Sequence, residues 1–518
     1  MNRRHFFFGS LLAGTVPQAG YGSVPSLRAL GYKPFYDKLR VAAIGCGGQG
    51  GVILNQAAQT EPIVALCDVD LDRAAPNLKR FEKLPLYRDF RVMLDKESKN
   101  IDAVTIAIPD FMHATVALAC MQRGKHVYLE KPLTRTVWEA RLLADAAVKY
   151  KVATQMGNQG YSHESHRVAA EILWSGEIGD VTEAHVSVTP GTHPTALQQP
   201  PPEESVPANL DWQAWLGNAP MRPFSSYYVP YNWRGFYDFG TGQIGNWATH
   251  TAGPVHHALM LGAPTSLECI SQDGASKITF PNRAIIRLDF PARGAMPPVQ
   301  VFYHDSARAT DPDVYRVPGM ENEVILPSPN NLSDKGRPMG GGRGGFGGGG
   351  FGGGGFGGGQ RPPGVAGPKP PAGGQRMGPG GPGVKVFGGD RGGPQRGLLT
   401  GNGAVFIGTK GIMATCDRGE GVWLLPNSRW AEYKLPPQLL TRSPGHMADW
   451  IRACKGGDPS CSNFSISGPY AEWLALAAIA FRVPGKLQWD PKLLRFTNSV
   501  EANKHVRPVL RPGWELKL

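Results

Sequence analysis

The run Val41-Ala42-Ala43-Ile44-Gly45-Cys46-Gly47-Gly48-Gln49-Gly50 joins a short apolar strand to the pattern G-x-G-x-x-G. Each glycine has a mechanical task. Gly45 permits a tight turn, Gly47 lets backbone approach a pyrophosphate, and Gly50 lets the next helix pack on the strand. The phosphate then sits at a helix N-terminus, where free N–H groups and the macrodipole favour negative charge. In a chain with 68 glycines the pattern alone is weak, but its surroundings strengthen it. Val52 to Gln59 reads as helix, and a second apolar run, Ile63 to Cys67, ends at Asp68, 18 residues after Gly50. An acidic side chain there accepts ribose hydroxyls of NAD and repels a 2′-phosphate, while Arg73 close by leaves NADP open. Gly45, Gly47, Gly48, Gln49, Gly50 and Asp68 are the candidate dinucleotide contacts.

From that unit outward, residues 38–157 alternate strand and helix. Ile101 to Ile108 is a buried strand closed by Pro109, Thr115 to Arg123 a helix, Lys125 to Leu129 a strand, Thr136 to Lys149 an amphipathic helix, and Val152 to Met156 a strand. Such alternation demands a parallel sheet with helices on both faces. After Gly157 the pattern changes. His166 to Trp174 reads as helix, with His163 and His166 as surface positions. Strand-like runs follow at Val181 to Thr189, Ser266 to Gln272, Ala284 to Phe290 and Val299 to His304, and predict a second domain on a mostly antiparallel sheet. Residues 339–397 are rich in Gly and Pro and cannot bury enough apolar surface to offset ordering entropy, so they read as a disordered insert. The fold resumes at Ala404 to Ile407, and helices at His446 to Cys454 and Tyr470 to Phe481 follow. The domain reading is thus 1–37 signal and linker, 38–157 nucleotide domain, and 158–338 with 398–518 the second domain.

Net charge is +12, but nine Lys/Arg against two Asp/Glu between Asp334 and Arg396, with Arg3 and Arg4, carry most of it. About +3 remains on the rest, which is no footprint for nucleic acid. Arg3-Arg4 followed by Phe6 to Val16 reads as a twin-arginine export signal, too short to span a bilayer, so membrane association arises only if the signal stays uncleaved. Export predicts a periplasmic or otherwise extracytoplasmic location. Of seven dispersed cysteines, Cys454 and Cys461 alone are spaced to pair locally, and there is no C-x-x-C, metal-ligand array, Ser-His-Asp order or Walker lysine loop.

Glu130-Lys131-Pro132 follows directly on the strand Val127 to Leu129. Ligands of open α/β sheets bind beyond the carboxyl ends of strands, so Lys131 stands where a hydroxyl proton can be taken or polarised. In Gly245-Asn246-Trp247-Ala248-Thr249-His250, helical spacing puts Asn246 and His250 one turn apart on one face. His250 is a candidate acid/base with an ordinary pKa near neutrality. Gln155, Asn158 and Gln159 lie just past a strand end and can meet nicotinamide or sugar. Tyr231, Trp233, Arg234 and Tyr237 form an aromatic run with one cation, suited to sugar C–H faces and hydroxyls.

These residues together resemble the Gfo/Idh/MocA family, the glucose–fructose oxidoreductase and inositol dehydrogenase group. The resemblance rests on Gly45 to Gly50, Asp68, Pro109 with His113, Glu130-Lys131-Pro132, the segment ending at His250, Trp489-Asp490-Pro491, and Glu501-Ala502-Asn503 ahead of Trp514. It implies a Rossmann doubly wound parallel sheet followed by an α+β domain whose open sheet often forms the face of a homo-oligomer. It also implies that Pro109, His113, Glu130, Lys131 and Gln159 help hold the cofactor. Lys131, His250 and Asn246 would then act at the substrate hydroxyl, with Asn158, Arg234 and Tyr237 around the substrate. The family pattern has aspartate where this chain has Asn246, an amide that takes no proton.

An exported protein meets no pool of free NAD(H), so the cofactor must stay bound and be regenerated in place. The expected activity is an NAD(P)-dependent oxidoreductase acting on a sugar, polyol or glycoside hydroxyl. The alternative is an NAD-dependent glycosidase that oxidises C3 transiently, eliminates, adds water and returns the hydride.

Overall fold

The structure is a computed structural model and describes residues 25–31, 37–337 and 395–518. The twin-arginine stretch and all but the last three residues of the predicted insert lie outside the described residues.

Apolar runs without alternation become the first sheet. Strands β1 (Val41–Ile44), β2 (Ile63–Cys67), β3 (Leu86–Tyr87), β4 (Ala103–Ile106), β5 (His126–Glu130) and β6 (Thr154–Gly157) form one parallel sheet in the order β3-β2-β1-β4-β5-β6. Every residue of β1, β4 and β5 is buried, as expected of strands covered on both faces. Helices α1 (Gln49–Ala57), α2 (Leu71–Arg80), α3 (Phe90–Lys96), α4 (His113–Gln122) and α5 (Val137–Lys149) connect them. The strand order reverses between β1 and β4, which opens a crevice at their carboxyl ends. Helix α1 begins at Gln49, three residues before the sequence expectation, because Gly48 (φ +53°) turns the chain directly into it. Thr136 closes a capping box with Glu139 at the start of α5.

The second sheet has nine strands: β7 (Val181–Ser187), β8 (Ser266–Asp273), β9 (Arg283–Phe290), β10 (Val299–Asp305), β11 (Gly403–Gly408), β12 (Gly411–Cys416), β13 (Gly421–Leu425), β14 (Leu487–Asp490) and β15 (Arg495–Phe496). Their order is β13-β12-β11-β7-β10-β9-β8-β14-β15, antiparallel except for the parallel pair β7–β10. β9 alternates buried and half-buried residues, the mark of a sheet with one packed face.

The late segment 446–480 packs back on the first sheet. Trp450, Ile451 and Cys454 share a cluster with Val41, Ile53 and Tyr128. The following turn lies along the edge strand β6. Met156 N–H donates to the Ser462 carbonyl at 2.9 Å, Ser460 Oγ to the Thr154 carbonyl at 2.6 Å, and Phe464 N–H to Thr154 Oγ1 at 3.0 Å. Helix Phe464–Ala480 starts six residues before the expected Tyr470, capped by Asn463 and carrying Pro469 inside it. It approaches α5 closely at Gly468, where a Cβ would lie 3.0 Å from that of Ala144.

Three expectations are corrected. Cys454 and Cys461 are not paired: all seven cysteines are free. Cys454 faces the Trp450 cluster, while Cys461 Sγ lies 3.3 Å from Ser162 Oγ. His166 is buried, with its ring stacked 5.1 Å from His257, and its helix Glu164–Trp174 is buried along its whole length. Burial also keeps His163 neutral, pushing its pKa down to about 4. Finally, Asn246 and His250 do not share a plain α-helix: Ile244–Ala248 is a π-turn, followed by a short α-turn at Thr249–Thr251.

Candidate active site

The loop after β1 is shaped by close approach. Gly45 has φ +83°, and a Cβ on it would lie 2.2 Å from the Ala107 carbonyl oxygen. A Cβ on Gly50 would lie 2.2 Å from the Gly45 carbonyl oxygen, so only glycine lets α1 sit this close to β1. Gly48 caps α1 without a side chain; the Gly50 N–H turns back to the Gly47 carbonyl at 3.0 Å, while among the described residues no side chain covers the Gln49 N–H that opens the helix. Arg73 lies across the loop: a Cβ on Gly47 would meet its Cγ at 2.8 Å, and one on Gly48 its Nη2 at 2.7 Å. Asp68 Oδ2 accepts Cys46 N–H at 2.7 Å and Oδ1 accepts Asp70 N–H at 2.9 Å. Gly47 N–H also bonds this carboxylate, which keeps acceptor capacity for a ribose hydroxyl. Burial raises the Asp68 carboxyl pKa, opposed by these backbone N–H groups. This cradle, narrowed to what glycine allows and closed by a carboxylate, fits a dinucleotide.

Lys131 stands at the carboxyl end of β5, where Glu130 pairs in register with Gly157 of β6. Glu130 ties three elements together. Its Oε1 accepts Gln49 Nε2 from α1 at 3.3 Å and Gln159 Nε2 at 3.1 Å, and its Oε2 accepts Lys131 N–H at 3.1 Å. Lys131 Nζ donates to the Asn246 main-chain carbonyl at 2.7 Å and to Asn246 Oδ1 at 2.9 Å. Burial, then the charge of Arg234, brings the ammonium pKa down to about 8, with Glu130 and Asp110 pulling the other way. Asn246 Nδ2 donates in turn to Tyr231 Oη at 3.2 Å and to Gln243 Oε1 at 3.0 Å. The π-turn carries this amide, as such turns often carry site residues. His250 is 6% exposed, and its Nδ1 has no hydrogen-bond partner. Burial, then the charges of Lys131 and Arg418, pushes its pKa well below the usual histidine range, so the ring is neutral.

The remaining sequence candidates separate. Pro109 caps the turn Asp110–Met112, which leads into His113. His113 is fully buried, with Nδ1 2.7 Å from the Pro132 carbonyl and Nε2 2.8 Å from that of Ile108, so it braces the loop that carries Lys131. Asn158, beside Lys131 on the neighbouring strand end, is fully buried with neither amide atom partnered. Gln155 is consumed by His446 and Ser462. Arg234 lies near Lys131, whereas the Tyr237 ring packs on Phe280 (4.4 Å) and under Arg482 (4.6 Å), and none of its described contacts reaches the Lys131 cluster.

Sequence reasoning missed Asp110, Gln243 and Arg418. Asp110 is buried, its Oδ2 accepting the Thr241 hydroxyl at 2.6 Å, and its position directly after Pro109 was a usable signal. Arg418, whose charge reaches both Lys131 and His250, arrives on the β12–β13 turn, and no local motif marks it.

Residues 39–158 match the family model described as oxidoreductase family, NAD-binding Rossmann fold, and residues 195–274 match that of the C-terminal α/β domain of the same family. The chain is 29% identical over 152 residues to the inositol 2-dehydrogenase of Pseudomonas fluorescens, covering 28% of this chain and 45% of that protein. It is 25% identical over 177 residues to a glycosyl hydrolase family 109 protein of Solibacter usitatus, covering 31% and 39%. The chain thus spans less than half the length of these relatives. Among solved structures, the WlbA dehydrogenase from Bordetella pertussis, in complex with NADH and UDP-GlcNAcA, is similar in fold. Its TM-score is 0.52 at 14% identity, covering 88% of this chain and 99% of that one. An oxidoreductase from Thermotoga maritima gives 0.50 at 14%, covering 87% and 98%.

Proposed function

The chain carries the NAD-binding Rossmann domain and the C-terminal domain of the Gfo/Idh/MocA oxidoreductase family, and from that premise we propose that it oxidises a CH–OH group of a sugar, polyol or glycoside, with the nucleotide held tightly and returned to its starting state when a carbonyl is reduced in the same site. The observation that carries the reading is Lys131 Nζ, held on a neutral amide at the carboxyl end of β5 with its pKa lowered to about 8.

Bound NAD supplies the acceptor for a hydride. The protein supplies the proton chemistry and the alignment. Near neutrality an appreciable fraction of Lys131 is the free amine, which takes the proton of the reacting hydroxyl. Asn246 aims that amine and adds no charge that would hold it protonated. His250, neutral and with an open Nδ1, hydrogen-bonds the substrate hydroxyl. Glu130 locks the start of α1 to the ends of β5 and β6, fixing the amine relative to the nucleotide loop.

A second reading is favoured by the likeness to the family 109 hydrolase. Oxidation at C3 acidifies the neighbouring C–H, and the same amine then serves elimination of a glycoside. The twin-arginine stretch supports an extracytoplasmic location for either chemistry, and the open face of the second sheet supports a homo-oligomer.

Denaturing the purified protein should release NAD(H), read by its absorbance. Given a second, carbonyl-bearing sugar as hydride acceptor, the native protein should then turn over sugars without added cofactor, whereas nitrophenol release from nitrophenyl glycosides would select the hydrolase reading. Lys131→Ala should lower either activity by about 10²-fold or more while still releasing nucleotide. Full activity in that variant would remove Lys131 from the mechanism.

A further inference from the structure

Cations and carboxylates around Lys131 are unequally engaged. Arg234 comes from the 3-10 turn Asn232–Gly235. Its guanidinium lies 4.2 Å from the ring centroids of both Tyr231 and Trp233, and Nη1 donates to the Tyr231 carbonyl at 3.2 Å. Among the described residues it forms no ion pair. The two carboxylates whose charge reaches it are engaged elsewhere: Asp110 with the Thr241 hydroxyl, Glu130 with Gln49, Gln159 and the Lys131 N–H. The other charges facing it, Arg73 and Lys131, are of its own sign.

The position is built. Tyr231 presents its ring to Arg234 and its hydroxyl to Asn246 Nδ2, while Asn246 Oδ1 holds Lys131 Nζ. One tyrosine–asparagine pair therefore spaces a guanidinium from an ammonium. Aromatic contacts cover the guanidinium, and among the described residues its recorded hydrogen bond is the one from Nη1, which leaves donor capacity for a ligand. A planar fork of this kind matches a carboxylate or a phosphate through two parallel hydrogen bonds.

Resting on the reading of Lys131 as the group that meets the reacting hydroxyl, we propose that Arg234 receives an anionic substituent on the same substrate, so that the protein works on sugar acids or sugar phosphates rather than neutral sugars. The anion completes a cluster that has cations to spare. It also anchors the substrate at a second point, which orients one hydroxyl toward Lys131.

The test uses the nucleotide-loaded protein with three ligands that share one ring: glucose, glucuronate and glucose 6-phosphate. Binding is read by calorimetry and turnover by steady-state kinetics. One of the two anions should bind at least about 10-fold tighter than glucose, with the advantage shrinking in high salt. Preference for glucuronate identifies a carboxylate, and preference for the phosphate a phosphoryl group. Arg234→Gln should collapse the anion-to-neutral ratio toward one, mainly through KM, and Arg234→Lys should keep part of it. Equal binding of all three ligands, or a ratio untouched by Arg234→Gln, overturns the proposal. So does loss of bound nucleotide on Arg234→Gln without a change in that ratio, which would assign the guanidinium to the cofactor. Binding that follows the predicted order with no hydride transfer between any ligand and the nucleotide would instead sink the oxidoreductase reading alone.

Discussion

Replacing Asn246 by Asp puts a carboxylate where an amide oxygen now lies 2.9 Å from Lys131 Nζ. At that separation and an effective dielectric near 20, the attraction is about 5–6 kcal/mol before desolvation of the new charge is counted. Measured shifts for an opposite charge in contact run to about 1–3 pKa units. Taking about 2 units, the ammonium would move from about 8 toward 10. A lowered lysine pKa means that the amine is free above about 8, so oxidation by the native protein should rise with pH and level off beyond it. In the variant the same rise should come about 2 units later. At pH 7 the free-amine fraction falls from roughly one-tenth to about one-thousandth, a loss of ~100-fold, or about 2.7 kcal/mol. The assay is kcat/KM against pH for both proteins, run with the nucleotide bound. The curves should converge at high pH. A variant whose inflection stays near 8 or moves downward would show that Lys131 is not the titrating group. A native profile inflecting in the histidine range would refute the assignment directly, because His250 is held neutral by burial.

Other expected outcomes follow from packing. Gly50→Ala places a Cβ 2.2 Å from the Gly45 carbonyl oxygen and should cost about 1–3 kcal/mol together with retained nucleotide; thermal unfolding and nucleotide release measure both, and an unchanged variant would refute the close approach of α1 to β1. Glu171 is fully buried and accepts from Leu439 N–H, Leu440 N–H and both terminal nitrogens of Arg442. Glu171→Ala should cost about 1–3 kcal/mol in urea unfolding, because it strips the Leu439 and Leu440 N–H groups of their acceptor while Glu164 still holds Arg442, and no measurable loss would mean the contacts are dispensable.

The first domain was legible because its signals are local. Strands covered on both faces leave continuous apolar runs, and the glycines of the 45–50 loop sit beside the strand they serve. Boundaries slipped where a backbone conformation did the work: Gly48 starts α1 by its φ, with no capping side chain to announce it. His166 was misread because polarity marks the surface only on a helix that has one, and Glu164–Trp174 is buried on every side. Cys454 and Cys461 are spaced so that they could pair, whereas the two side chains enter different packing environments. Strand end and spacing single out Lys131, Asn246 and His250 as candidates, but the hydrogen bonds from Nζ to Asn246 need the π-turn, which composition does not reveal. Arg418 lay beyond reach because a turn between two late strands delivers it.

The turn 460–464 lying along β6 bears on the order in which the molecule can be completed. Ser460 and its acceptor Thr154 are separated by 306 positions. At ribosomal speeds that interval lasts roughly 15–60 s. For all of it the nascent nucleotide domain presents a naked strand edge, the kind of template on which chains stick to one another. Vectorial synthesis therefore delivers a molecular clasp late, and a chaperone that shields that edge would have its busiest moment just before the clasp emerges.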